Sequence, residues 1–405
     1  MGASQSLNDT LSVLSIEATP RPWGQEAPPL DKLSMFRAIG AGTCGTVFEI
    51  PNTLEVVKRA KNGYKDALWN DYLCHKRVLE RIGRNVERGL QVPKSLSFVP
   101  ADDQDYWPDL AAHFPTDYRS QSALSFSERI PPVPESVRFA LIDRYFPEEA
   151  RSEAKASEGN KDCLIRIYLG KRRDPDRLKP SRVSLRNYNL HLDQMEELGL
   201  DTETFADTMA RTLAVMHWDA CIDADDVEFV LGSSRTSITH GAFNLCDLTG
   251  GEGPICTLED VDIHTHGISM WVLDFDKCQR IRVHGGEWEL PSAEAERTQG
   301  LEMAVAAFFR NDPYYPRPLS SNAHEQRLWR TFRDAYRKIG RLLLKDEKPG
   351  VRELPDRFIT MVEDQMEVRL ANRLEAERRL AAMGPRGWEE PRIETRSGDP
   401  QETFY

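Results

Sequence analysis

The chain has 405 residues, 40% hydrophobic and 29% charged, with 53 Lys and Arg against 65 Asp and Glu for a formal charge of −12. This composition supports a packed core and excludes global disorder, and the length allows two or three domains or one bilobal enzyme-sized unit with tails. The acidic balance argues against nucleic acid as a partner, because that affinity grows with the number of Lys and Arg contacts to phosphate.

Met1-Gly2-Ala3-Ser4-Gln5-Ser6 fits the pattern for myristoylation of Gly2. A single acyl chain would give only weak membrane association. Residues 1–32 carry Pro20, Pro22, Pro28 and Pro29 without a sustained period and are expected to form a disordered lead-in. From Phe36 to Lys58, apolar and polar residues alternate around two turn signals, the glycine cluster 40–45 and Pro51-Asn52-Thr53, which predicts strand, loop, strand, hairpin and strand. Ala67, Leu68, Tyr72, Leu73, Val78 and Leu79 predict a helix over 66–82. The Asp-, Pro- and Ser-rich stretch 100–136 reads as an insertion, Phe139 to Ile142 as a short buried strand, and 147–162 as a polar linker or insertion.

Cys163 to Leu169 is strand-like. A helix is then expected from an N-cap at Asp201 or Thr202, with Phe205, Met209, Leu213 and Met216 on one face. Two β-like pieces, Val227 to Leu231 and Met270 to Phe275, flank a long loop containing Gly and His. The last helix sets Ile359, Val362, Met366, Leu370 and Leu374 on one face and stops at Gly384-Pro385, leaving 385–405 as a disordered tail. The longest clean apolar run, Met303 to Phe309, is far short of the roughly 20 residues that cross a bilayer. The 7 cysteines are scattered and odd in number, as expected of reduced thiols in an intracellular protein, cytoplasmic or nuclear.

Four local patterns carry candidate chemistry. Gly40-Ala41-Gly42-Thr43-Cys44-Gly45-Thr46-Val47 fills G-x-G-x-x-G-x-V between two predicted strands, which favours a kinase-type flap over ATP phosphates against a dinucleotide fold. Glycines suit such a flap because backbone N–H groups must approach phosphate without Cβ atoms in the way. A ligand-free glycine hairpin is the bland alternative. Val56-Val57-Lys58 on the next strand places a lysine where a kinase-type site holds the α- and β-phosphates, and Asp71 or Glu80 on the following helix would anchor it, Asp71 fitting the apolar spacing better. Further along, Cys221-Ile222-Asp223 stands where His-Arg-Asp opens a catalytic loop, with Asp223 as the acceptor-orienting group and Glu228 at the metal-binding Asn position. A solvated acidic loop is the alternative there. Finally, Trp271-Val272-Leu273-Asp274-Phe275-Asp276 ends an apolar strand where kinases carry Asp-Phe-Gly, making Asp274 the Mg²⁺ ligand and Asp276 the substitute for glycine.

Arg166 to Arg173, Leu185-Arg186-Asn187-Tyr188, Leu192 to Met195, His217-Trp218, Asp226 to Gly232, Leu273 to Asp276 and Asn311 to Pro318 together resemble a fungal family of unknown function whose members are often labelled "zinc finger protein". The resemblance runs from about 33 to 365, and it implies no established reaction. The residues themselves argue against zinc. The best cluster, Cys246, Cys256, His264 and His266, separates its cysteines by nine residues where a structural site has two to four. Tyr314-Tyr315, bounded by prolines, is expected to pack against the C-lobe, and Lys171-Arg172-Arg173 to be a solvated surface too short to bind nucleic acid.

The expected fold class is α+β, a bilobal protein-kinase-like fold with a β-rich N-lobe over 33–146 and an α-rich C-lobe over 163–384. Its cofactors would be ATP and Mg²⁺. Gly40, Gly42, Gly45 and Val47 would cover the nucleotide, Lys58 with Asp71 would hold its phosphates, Asp274 and Glu228 would hold the metal, and Asp223 would serve catalysis. The partners expected are a nucleotide and a small-molecule acceptor, with a protein partner as a further candidate. The absence of a later Ala-Pro-Glu argues against a protein-kinase activation segment. The rival readings are a pseudokinase that binds without turnover, favoured by Cys221-Ile222, Glu228 and Asp276, and a regulatory protein of a fungal specialised-metabolite pathway.

Overall fold

Period-2 burial builds the N-terminal sheet. In a computed structural model that describes residues 35–51, 53–85, 89–104, 106–174, 184–234, 267–282 and 293–383, β1 (Arg37–Ala41), β2 (Gly45–Glu49) and β3 (Glu55–Ala60) precede the helix α1 (Lys65–Asn85). The short strand β4 (Leu90–Gln91), β5 (Ser95–Val99), α2 (Trp107–Ala111) and β6 (Leu124–Glu128) follow. The first sheet is antiparallel in the order β1-β2-β3-β6-β5. Its alternating side chains serve two small cores. Phe48, Val57, Val99, Leu124 and Phe126 pack with Trp107, Leu110 and Phe114 on one face, and Ala60 and Phe98 pack with Leu68 and Tyr72 of α1 on the other. Lys58 therefore points to the α1 face while its neighbour Arg59 stacks over Trp107, 5.9 Å from the ring centre.

The next elements are α3 (Glu135–Tyr145), α4 (Glu148–Ala156), β7 (Ile165–Tyr168), β8 (Tyr188–His191), α5 (Leu192–Glu197), α6 (Thr202–Trp218), β9 (Glu228–Ser233) and β10 (Ile268–Leu273). The chain then becomes helical: α7 (Glu294–Arg310), α8 (Ala323–Leu343), α9 (Pro349–Arg352) and α10 (Leu354–Met383). The second sheet runs β4-β10-β9-β7-β8, with β4 parallel to β10 and β7 parallel to β8. The whole is a mixed α+β protein, rich in sheet toward the N-terminus and helical toward the C-terminus.

The largest core surrounds α6. Asp201 caps that helix by accepting from the Thr204 N–H at 3.0 Å, and Met209, Leu213 and Met216 are buried with neighbours on every side. Such all-round burial marks a helix packed inside its domain. α8 lies along it, started by Asn322, whose side chain accepts from the N–H groups of His324 and Glu325. Each large apolar side chain buried here contributes roughly 1.5–3 kcal/mol. Cys74, Val78 and Ile82 of α1 and Val137, Leu141 and Ile142 of α3 belong to this same core.

The structure changes some sequence expectations and leaves others as they stood. Phe139 to Ile142 is helical, within α3: Val137, Ala140, Leu141 and Ile142 are its buried residues, a helical face that a four-residue apolar run cannot distinguish from a strand. The stretch 100–136 contributes β6, which lies between β3 and β5, so it completes the sheet as well as connecting elements. The polar stretch 147–162 holds α4, and its Lys155 pairs with Asp143 at 2.8 Å. In α10, Ile359 and Val362 are fully buried, but Leu374 is 53% exposed, because the second half of the helix extends past the core. Tyr314 and Tyr315 are buried, and Tyr315 stacks on Phe308 at 5.1 Å. Arg172 pairs with Glu196 and Glu325, and Arg173 with Asp193, so two members of the basic run are committed to ion pairs. Among the described residues no helix is long and apolar enough to cross a membrane. The expected tails, 1–32 and 385–405, and the Gly2 acylation site lie outside the described residues.

Candidate functional site

The glycine motif forms the β1–β2 hairpin, closed by a hydrogen bond from the Gly42 N–H to the Gly45 carbonyl at 2.9 Å. Gly45 is required by packing: a Cβ there would lie 2.7 Å from the Arg59 carbonyl oxygen and 3.1 Å from Lys58 Cγ. Gly42 sits at the turn, and a Cβ there would lie 3.9 Å from Asp274 Oδ2, so the hairpin reaches over that carboxylate. Gly40 and Val47 are register partners across the hairpin.

Beneath the hairpin, Lys58 Nζ donates to Asp71 Oδ2 at 2.7 Å and to Asp274 Oδ1 at 2.9 Å. Glu80, the other sequence candidate, lies on the exposed side of α1. Burial works against the Lys58 ammonium, but the two carboxylates outweigh it and hold its pKa well above the usual lysine range. Burial likewise opposes ionised Asp71, and Lys58 overcomes it and holds that carboxyl below its ordinary value. At Asp274 burial prevails over Lys58, with Asp71 and Asp276 adding repulsion, and the pKa is raised. The α1 helix also positions the segment after β10: Asp71 Oδ1 accepts from the Phe275 N–H at 2.9 Å, and Asn70 donates to the carbonyls of Asp276 and Cys278 at 3.1 and 2.9 Å. Asp274 itself is left-handed, with φ 63. A non-glycine residue in that region costs on the order of 1 kcal/mol or more.

Glu228 opens β9 directly opposite Leu273, the residue before Asp274. It is ion-paired with Arg166 of β7. Burial pushes its carboxyl up to about 7 against the pull of Arg166, and Asp274 adds repulsion. Asp223 is 1% exposed. Its Oδ1 accepts from the N–H groups of Gln279 at 2.8 Å and Asp225 at 3.2 Å, while its Oδ2 is buried with no hydrogen-bond partner. Burial raises its carboxyl to about 6 although those N–H groups favour the anion. The loop around it is strained, with Cys221, Ala224 and Asp226 all at positive φ.

Carboxylates outnumber cations here. Lys58 faces Asp71 and Asp274, Arg166 faces Glu228, and Arg310 and Lys277 pair with Asp225 and Asp226 beside the buried Asp223 and Asp276. A polyphosphate anion would be repelled by this set unless a divalent cation came with it, and hard carboxylate oxygens suit Mg²⁺, which is bound through one or two carboxylates plus phosphate. Cys44, buried under the hairpin near Lys58 and Asp276, has its thiol pushed up to about 12 by burial and is unreactive as a nucleophile. A cavity of about 230 Å³ opens nearby, lined by Arg280, Arg282, Glu296, Gln299, Gly300 and Met303. It adjoins the Asp223 loop through the bridge between Ile222 and Arg280.

Residues 270–348 match a protein family described as "Zinc finger protein". The match covers about a fifth of the chain and takes in Asp274, Asp276, α7 and the Asn311 to Pro318 turn. No curated protein matches the chain. Among the described residues no group of three or more His, Cys, Asp or Glu side chains is placed to hold a metal ion. Within the matched stretch Cys278 is buried, with its thiol pKa raised by burial, and His324 sits against Glu196. The cluster Cys246, Cys256, His264 and His266 lies outside the described residues. Sequence reasoning assigned no role to Arg166 or to Asn311, which meet the Glu228 and Asp223 loop; both stood in the family resemblance, but nothing local in the sequence told of their partners.

Proposed function

We propose that the protein is a bilobal protein-kinase-like molecule that binds ATP with Mg²⁺ between its N-terminal sheet and its helical C-terminal part, and transfers the γ-phosphoryl group to a hydroxyl of a small molecule. One observation carries the proposal: Lys58 lies between a helix carboxylate, Asp71, and a strand-end carboxylate, Asp274, under a glycine turn that reaches over Asp274. Lys58 would engage the α- and β-phosphates, and the Gly42 turn would cover them with backbone N–H groups. Asp274 and Glu228 would hold the metal, which when bound neutralises charge on the phosphate oxygens. Asp223, buried in the free protein, would have to be uncovered to take the proton of the acceptor hydroxyl as the new O–P bond forms and the bond from the γ-phosphorus to the β–γ bridging oxygen breaks, with ADP as the leaving group. The absence of an Ala-Pro-Glu sequence after Asp276 favours a small acceptor over a protein.

A second reading has its own observation. Arg166 occupies Glu228, and an aspartate stands at 276 where a flexible glycine is usual, both of which favour a regulatory module that holds nucleotide or a protein partner without turnover. The test is a thermal-shift titration with Mg²⁺ and ATP on wild type, Lys58→Met and Asp274→Asn, with far-UV circular dichroism to verify folding. Ligand bound to the native state raises the melting point, by an amount equivalent to about 2.7 kcal/mol at one hundred times Kd. The expected result is a rise in wild type that both variants lose. No rise at millimolar Mg²⁺-ATP in folded wild type would overturn the nucleotide reading. With a panel of small hydroxyl-bearing acceptors added, ADP release that Asp223→Asn abolishes would decide for the transferase, and binding with no release with any of them would favour the regulatory module.

A further inference from the structure

Three consecutive residues at the end of α7 meet the acidic loop from one side. Arg310 donates to Asp225 Oδ2 at 2.7 Å. Asn311, 6% exposed, accepts from the Asp226 N–H at 2.6 Å and donates to the Ala224 carbonyl at 2.9 Å. Asp312 accepts from Arg166 at 3.3 Å and from the Tyr168 hydroxyl, and Arg166 is the partner of Glu228. The turn itself is anchored, because the N–H groups of Leu169 and Gly170 donate to the carbonyls of Tyr314 and Pro313 at 3.2 and 2.8 Å.

The conformation that these contacts hold is one that the loop would not adopt alone. Ala224 and Asp226 are both left-handed, with φ 56 and 62, and neither is a glycine. The two hydrogen bonds of the Asn311 side chain fall on these two residues, one on the carbonyl of the first and one on the N–H of the second. The amide accepts through its oxygen and donates through its nitrogen, so one side chain satisfies both groups at once from separate atoms. Asp223 lies just before the bracketed pair and Glu228 just after it.

We infer that Arg310-Asn311-Asp312 is a positioning turn that sets the distance and orientation between Asp223 and Glu228, with Asn311 as its central residue. The inference rests on the nucleotide reading above and assigns to these residues no contact with nucleotide or metal. Removing Asn311 frees the 224–226 backbone to relax out of the left-handed region, and Glu228 then loses its fixed place beside Asp274. Lys58, Asp71 and the glycine hairpin are untouched by that relaxation.

The test measures ATP affinity by calorimetry with Mg²⁺ and again with EDTA, in wild type, Asn311→Ala and Asp312→Asn, alongside amide hydrogen exchange without ligand. Mg²⁺ is expected to tighten binding at least tenfold in wild type and less than threefold in Asn311→Ala, with the EDTA affinities equal within twofold. Exchange at the Asp226 amide is expected to rise at least tenfold in Asn311→Ala while the α6 amides stay protected. Equal loss under both conditions, or an unchanged Mg²⁺ effect, overturns the inference. Should Asn311→Ala fail to fold, Asp312→Asn, whose side chain is half-exposed, is expected to reduce the Mg²⁺ effect by about threefold, and no reduction overturns it equally. Wild type that binds ATP under neither condition removes the nucleotide reading and this inference with it, an outcome distinct from a Mg²⁺ effect that ignores Asn311.

Discussion

His217 shows how one buried side chain shapes the response to acid. It is fully buried at the end of α6, where its Nδ1 meets the Tyr336 hydroxyl at 2.7 Å and Phe358 packs edge-on to the ring. Burial pushes its pKa down to about 3. Between about 6.5 and 3 the unfolded chain therefore binds a proton that the native protein does not, so this histidine's effect is to lower stability as pH falls below 6.5. His217→Phe is expected to remove about 2 kcal/mol of the stability change between pH 6.5 and 5, read from denaturant midpoints at the two values. Identical pH slopes in wild type and variant would show that the imidazole protonates freely in the fold. The sequence shows a histidine closing a helix, and its partner lies 119 residues away on α8.

Elements were legible where a period persisted and illegible where a run was short. The helix expected over 66–82 is α1, because Leu68, Tyr72, Val78 and Ile82 repeat at helical spacing over several turns. The four apolar residues from 139 could not announce a helix, and β6 was hidden in a polar stretch whose Ser125 and Ser127 alternate with Leu124 and Phe126. One element-scale contact is exacting. At Gly170, just past β7, a Cβ would collide with the Tyr315 carbonyl oxygen and lie 3.1 Å from that of Pro313. Backbone cannot yield there as a flexible side chain can, so Gly170→Ala is expected to cost about 3 kcal/mol, measured by urea denaturation. A loss under 1 kcal/mol would mean that the 313–315 turn moves freely.

At the scale of the molecule, the glycine hairpin is tied to the C-terminal part by charge. Asp162, placed just before β7, accepts from Arg37 of β1 and, at 2.8 Å, from Arg129. Arg129 also pairs with Glu49 of β2, and Arg186 donates to the Ile39 carbonyl at 3.1 Å. The Asp162 side chain is 7% exposed while Arg129 and Arg37 are 20% and 47% exposed, so the pairs are partly shielded from water on the carboxylate side. Asp162→Asn is expected to cost about 2 kcal/mol and to speed hydrogen exchange in β1 and β2 several-fold relative to α6. Uniform acceleration across both regions would argue that Asp162 supports the whole fold equally.

Local chemistry, written in the sequence alone, determined the glycine hairpin between two strands, a lysine on the third strand, a helix bearing Asp71, and Asp274 at the end of an apolar strand. Each follows from turn residues and from periods of 2 or 3.6, which act over a few neighbouring residues. Tertiary structure alone decided which charges meet. Lys58 reaches Asp274 across 216 residues of chain and selects Asp71 over Glu80, because α1 packs its Leu68 face, and not its Glu80 face, against the sheet. Arg166 claims Glu228, and Asn311 brackets the loop between Asp223 and Glu228, for the same reason: ion pairs and buried amides act only over a few ångströms, and only the packing of distant faces brings these partners within reach.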